Sequence, residues 1–172
     1  MSSEVRQPPS AAQPGHNAEV KVSAKADYAV RAAAELAAAQ ASGGVVRAEA
    51  IATAQGIPQR FLENILSDLR HAGLVQSQRG AEGGHRLARP AAEITVADVI
   101  RAVDGPLAAV RGERPESVTY EGPALALQRV WIAVRKNLRV VVERVTLADL
   151  ANDQLPDDID RLAEDPEAWT TR

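Results

Sequence analysis

From Ser23 to about Ala41 the chain runs without Gly or Pro, and Tyr28, Ala32, Leu36 and Ala39 recur at helical spacing. A first helix is predicted there, with Ser23 as its N-cap. Gly43 and Gly44 end it, Val45 and Val46 give a short extended link, and a second helix follows from about Arg47 to Gln55. Gly56 then interrupts, and Pro58 stands where a helix can begin without losing a hydrogen bond. The third predicted helix runs to His71, its apolar residues Phe61, Leu62, Ile65, Leu66 and Leu69 forming one stripe opposite Gln59, Arg60, Glu63, Asn64 and Ser67. Gly73 stops it.

Two short runs, Leu74 to Gln78 and His85 to Ala88, flank a glycine-rich segment from Arg79 to Gly84 and predict a β-hairpin. Thr95 and Asp98 make a capping-box pair with Ile94 and Val99 as a hydrophobic staple, so a fourth helix is expected over Val96 to Val103, broken by Gly105 and Pro106. Residues 107–122 have no consistent period and read as a loop. From Pro123 to about Val145, Leu127, Trp131, Val134, Leu138, Val141 and Val145 recur at alternating spacings of four and three, the seam of a helix that pairs with another helix. Residues 1–18, broken by Pro8, Pro9, Pro14 and Gly15, are expected to be a disordered leader. Residues 151–172 read as an acidic tail whose apolar residues are too sparse for a core. The expected fold is mainly α with a small β-hairpin wing: a winged helix-turn-helix at 19–105, a loop at 106–122 and a dimerisation helix region at 123–150.

Composition narrows the chemistry. The chain has no cysteine, which removes disulfides, cysteine nucleophiles and thiolate-held metals. No apolar run is long enough to span a membrane and the N-terminus has no signal-peptide pattern, so a cytoplasmic protein with no membrane partner is expected. Of the basic residues 17 are Arg and three are Lys, so arginine content alone says little and placement must carry the argument. Placement is uneven under a net charge of -3: residues 59–90 hold five Arg against three acids, residues 147–172 two Arg against eight acids. Contact with phosphates follows the local sign.

Helix, sharp turn and polar-faced helix together present side chains to the DNA major groove. Gln59, Arg60, Glu63 and Asn64 lie near the start of the third helix, the end that reaches base edges; Arg suits guanine, Gln or Asn adenine, and Glu a cytosine amino group. A solvated helix face is the bland reading of the same residues. Because the glycine-rich run joins strand to strand, it fits a wing better than a nucleotide cradle, and Arg79, Arg86 and Arg89 would meet phosphates or the minor groove. Trp131 reads as an interface anchor or as the wall of a small-molecule pocket. His16, His71 and His85 make a weak metal set, and no catalytic or nucleotide motif is present. Neither metal, cofactor nor enzymatic activity is expected.

Taken in order, KVSAKADYAVRAAAELA, AEAIATAQGIPQRFLENILSDLRHAGLVQSQRGAEGGHRLARP, EITVADVIRAVDGPL and VTLADL resemble the Rrf-type winged helix-turn-helix regulators over about Val20 to Leu150. The resemblance implies a homodimer on a roughly palindromic double-stranded DNA operator, with a long helix crossing between protomers. By position it places Ser23, Lys25 and Tyr28 near the DNA backbone, Arg60 and Glu63 on the recognition helix and Arg79 on the wing. Asp27 departs from a position where a basic residue is common, Pro58 from a usual Ser cap and His85 from a usual wing Tyr. Many relatives carry three cysteines in the loop after Gly105 and Pro106, where this chain has none. The sequence therefore predicts a DNA-binding regulator, a repressor, switched by an unidentified small-molecule effector or a partner and not by a cysteine-ligated iron-sulfur cluster. The alternative is a dimeric protein-interaction module of the same fold that has lost DNA binding.

Overall fold

A computed structural model of the protein describes residues 22–170, and the predicted leader at 1–18 lies outside them. Helix α1 (Ala24–Gln40) is the element on which the others assemble. Its buried side chains are Ala26, Ala29, Ala32, Ala33, Leu36 and Ala37, nearly all methyl groups. Small side chains let neighbours approach closely, and α1 is packed by α2 (Ala48–Gln55), α3 (Gln59–His71), α4 (Val96–Asp104), α6 (Leu147–Ala151) and strand β2 (Gly84–Leu87). Ser23 caps α1 as expected, its Oγ accepting from the Ala26 amide at 2.9 Å.

The turn between α2 and α3 depends on Gly56, which sits in the left-handed region at φ 62° and caps α2 with its amide on the Ala52 carbonyl. A side chain there would be strained. Helix α3 buries Leu62, Ile65, Leu66 and Leu69, but Phe61 does not join them. It is 57% exposed, which corrects the predicted stripe: the phenyl ring lies outside the core and meets the edge of Tyr28 with ring centroids 6.5 Å apart.

Strands β1 (Val75–Gln78) and β2 form the expected antiparallel hairpin, with Val75 opposite Leu87 and Gln78 opposite Gly84. Val46, predicted only as an extended link, pairs with His85 through two backbone hydrogen bonds of 2.8 and 2.7 Å and so ties the wing to the link before α2. That pairing brings backbones into near contact at Gly84, where an added Cβ would lie 2.5 Å from the Val46 carbonyl oxygen.

Three expectations past the wing are revised. Helix α5 spans Leu127–Val142, shorter at both ends than predicted, because Pro123 belongs to a separate 3-10 turn at Gly122–Ala124. Val145, expected as the last seam residue, lies beyond the helix end and is buried within the protomer, its carbonyl accepting from the Val96 amide at 2.9 Å. Residues 94–96 and 145–147 pair side by side, and each leads into a helix opened by a capping box, Thr95 with Asp98 and Thr146 with Asp149. The second box starts α6 and seats Leu147 in the core. The acidic tail is not irregular throughout: residues 157–164 form α7, with Asp157, Asp158 and Asp160 in its first turn, Ile159 buried and Asp158 2.9 Å from Arg144. Acids at a helix start favour its dipole, which the count of apolar residues ignored. Trp169 remains 80% exposed.

The paired capping boxes give a direct check. Thr146→Ala removes the oxygen that accepts from the Asp149 amide, and urea unfolding should show a loss of about 1 kcal/mol, within the range known for N-cap removal. A loss below about 0.3 kcal/mol would mean that α6 is held by packing alone.

Candidate nucleic-acid interface

The buried stripe of α3 fixes which way its other side points. Gln59, Arg60, Glu63 and Asn64 are all exposed, and none makes a side-chain hydrogen bond or ion pair within the described residues. Beside them stand Tyr28 and Phe61, with the Arg31 guanidinium 4.8 Å from the Tyr28 ring centre. A shallow groove of about 420 Å³ lined by Lys25, Phe61, Asn64, Ser67 and Asp68 runs along this face. The helix thus presents polar and guanidinium groups with unspent hydrogen-bonding capacity next to an exposed aromatic ring, the combination that can read base edges and a thymine methyl.

The start of α1 is differently engaged. Lys25 pairs with Asp68 at 2.7 Å and donates to the Val103 carbonyl at 3.0 Å, while Ser23 hydrogen bonds Asp104. Ser23 and Lys25, two of the three residues expected near the DNA backbone, thus bind α1 to α3 and α4. Lys25 offsets an acid that would otherwise sit beneath the α3 face. Asp27 is likewise offset by Arg31 at 3.1 Å, which softens the repulsion expected from an acid at this place.

On the wing, Arg79 is exposed and without a partner among the described residues, and Arg86 reaches the Gln76 side chain only at 3.4 Å. Together with Arg70 and Arg89, Arg79 lines a broad concavity of about 740 Å³ between the end of α3 and the hairpin. Arg70 was not singled out in the sequence. Its signal was its place in the last turn of α3, which matters only once the hairpin is known to fold back beside it. The wing tip is braced from behind by Arg47, which donates to the Ala81 carbonyl. His85 faces inward: burial first, then the nearby Arg70 charge, lower its pKa below the usual value, with Glu49 opposing.

Helix α5 carries a second surface. Gln128 donates to the Glu116 and Val118 carbonyls, Trp131 donates to the Tyr120 hydroxyl at 3.0 Å, and Arg135 pairs with Glu116, so this edge is docked on the chain's own loop. Trp131 is thereby committed in part to its own protomer. Leu127, Val134, Leu138 and Val141 are half-buried, and Val130 and Val140 are 48% and 42% exposed. Among the described residues nothing covers this apolar helix face.

A helix α3 with an unpaired polar edge, an arginine-bearing hairpin beside it and an exposed apolar face on α5 are the parts of a winged helix-turn-helix regulator. The comparisons agree: residues 22–153 match the Rrf2 family, described as an iron-dependent transcriptional regulator. The chain belongs to the Rrf2 family of transcriptional regulators. It is 52% identical over 146 residues to the HTH-type transcriptional regulator Rv1287 of Mycobacterium tuberculosis (strain H37Rv), covering 85% of this chain and 90% of that one. It is 35% identical over 133 residues to the HTH-type regulator CymR of Bacillus subtilis, covering 77% and 91%. Among solved structures, CymR, the global cysteine regulator of B. subtilis, aligns with a TM-score of 0.66 over 78% of this chain and 98% of its own. IscR of T. potens aligns at 0.64 over 88% and 93%, with 35% identity.

The family description raises the question of iron. Thiolates are absent from the whole chain, and no three His, Asp or Glu side chains gather among the described residues as a metal would need. The loop at residues 106–122, where the resemblance puts such ligands, holds no cysteine. These residues do not fit a thiolate-held cluster.

Two outcomes check the wing. Because the folded pKa of His85 lies below 6.5, the unfolded chain takes up its proton first; the stability from keeping it neutral is present above pH 6.5 and falls away as pH drops through the folded value. An NMR titration of the ring should give a midpoint below 6.5, and a midpoint above it would contradict the inward placement. Gly84→Ala should push the wing off Val46, seen as lost hydrogen-exchange protection at the His85 amide with the α1 amides unchanged.

Proposed function

We propose that this regulator is a homodimer that binds a roughly palindromic operator, with α3 in the major groove and the wing on the flanking backbone, and that it represses. The observation that carries the reading is the unpaired set Gln59, Arg60, Glu63 and Asn64 on the exposed side of a helix whose other side is fully buried. Arg60 and Asn64 are the reading residues, with Gln59 and Glu63 beside them. Arg79 and Arg86, joined by Arg70 and Arg89, position the duplex through phosphates. Ser23, Lys25 and Tyr28 brace the N-terminal end of α1 against the backbone while serving the protomer's own packing. Repression is assigned because a bound dimer can occlude a promoter without any further partner.

The dimer forms along α5. Its uncovered apolar face is what a second copy of the same helix would bury, and Leu127, Val134, Leu138 and Val141 border it. The switch is a non-redox ligand or partner, since the chain lacks the donors for a cysteine-held cluster. Such a ligand acts by binding two arrangements of the dimer unequally.

Three outcomes follow. Arg60→Ala should cost about 1 to 3 kcal/mol on the operator and relax preference at one base pair, measured by fluorescence anisotropy; equal losses on operator and random duplex would remove Arg60 from the reading set. Val130→Glu with Val141→Glu should sediment as a monomer, and a dimer would place the interface elsewhere. Protein purified with and without air should bind the operator alike and show no visible absorption band. An affinity that tracked such a band would contradict the non-redox switch.

A further inference from the structure

Between the end of α4, the loop that follows it and α5 lies a cavity of about 470 Å³, within the size range of small-molecule sites. Four guanidinium groups line it, from three separate parts of the chain: Arg101 in the last turn of α4, Arg114 in the loop, and Arg135 and Arg139 one turn apart on α5. Like charges four residues apart on a helix repel, so gathering them has to be offset by something. Two carboxylates do part of this. Glu143 takes Arg101 and Arg139, and Glu116 takes Arg135, with Asp98 a more distant partner of Arg101 at 4.0 Å. Both glutamates are held below the usual carboxylate range, Glu116 by its own backbone hydrogen bond and then Arg135, Glu143 by Arg101 and then Arg139.

The carboxylates do not exhaust the donors. Each guanidinium carries five N–H groups in a planar fork, whereas the close ion pairs engage one nitrogen each on Arg101, Arg135 and Arg139. The Arg114 guanidinium makes no hydrogen bond or close ion pair with any described residue, although its charge acts on Glu116. Four cations against three acids leave the cavity net positive, with forks shaped for two-pronged recognition of carboxylate or phosphate.

We propose that this cavity binds a small metabolite carrying two negative charges, a phosphate monoester or a dicarboxylate, and that its binding is the event that switches the regulator. The inference rests on the reading of the protein as a ligand-switched DNA-binding dimer. Arg101 with Glu143 joins α4 to α5, and Arg135 with Glu116 joins α5 to the loop. An entering anion competes with both glutamates for those guanidiniums, so occupancy alters the links that set α5 against the winged domain.

The test is calorimetric titration of the full chain with glycerol 3-phosphate and with succinate, in zwitterionic buffer with chloride holding ionic strength constant. At least one probe should bind saturably at one per protomer, and the tighter of the two identifies the class. Arg114→Ala and Arg139→Gln should each weaken binding about tenfold, the scale of one charge-assisted bond. Glu116→Gln, which frees Arg135 without changing side-chain shape, should tighten it. Failure of both probes to saturate on the wild-type protein at millimolar concentration would overturn the proposal. Binding that survives Arg114→Ala with Arg139→Gln would do the same, by placing the anion on the DNA-binding face. Operator affinity without anion is a separate readout: its absence counts against the DNA-binding reading and leaves the titration to decide the cavity.

Discussion

The fold depends on how closely other elements can approach α1. Its inner face is built from Ala26, Ala29, Ala32, Ala33 and Ala37 with a single large residue, Leu36, and four helices and a strand close on it. Enlarging any of these methyl groups would overfill a region packed from every side, at a cost of about 1 to 3 kcal/mol per site. The same constraint orients the functional face. With Leu62, Ile65, Leu66 and Leu69 drawn inward, α3 has one rotation available, and Gln59, Arg60, Glu63 and Asn64 point outward as its consequence.

The capping boxes show how the ends of the molecule are fastened to that core. The chain leaves the winged domain at Gly105, runs through the loop and α5, and returns at Val145 to pair with Ile94 through Val96. The excursion thus leaves from the C-terminal end of α4 and is pinned on its return beside the start of the same helix, and α5 is held between these points by ion pairs and loop contacts with no fully buried side chain of its own. An element fastened at its ends and loosely packed along its length is suited to carry a change in dimer geometry. The loop holds Ala108 and Arg111 at positive φ, of 51° and 52°, conformations that persist only where surrounding contacts enforce them.

Much of this was legible in the chain. Helices α1 to α4 and the hairpin were found within a residue or two, because caps, glycines and apolar spacing agree there. The misreadings share a cause, which is that spacing names a face but not its neighbour. Phe61 has the spacing of a core residue and lies outside the core beside Tyr28. Val145 has the spacing of a seam residue and turns back to the winged domain. Thr146 and Asp149 repeat the Thr95 and Asp98 pattern word for word, and reading TLAD as TVAD was read would have ended the long helix early. The arginine cavity was beyond sequence reasoning, since 17 arginines spread along the chain give no sign of which four converge. Lys25 is similar: its charge was visible, but its engagement with Asp68 exists only in the fold.

The central claim is that two winged domains, spaced by paired α5 helices, read two half-sites together. Hydroxyl-radical footprinting on a duplex selected from a random library tests it most directly. The account predicts two-fold related protections on one face of the duplex, their centres about 34 Å or a whole multiple of that apart. A single asymmetric protected segment, or uniform protection without sequence preference, would contradict it.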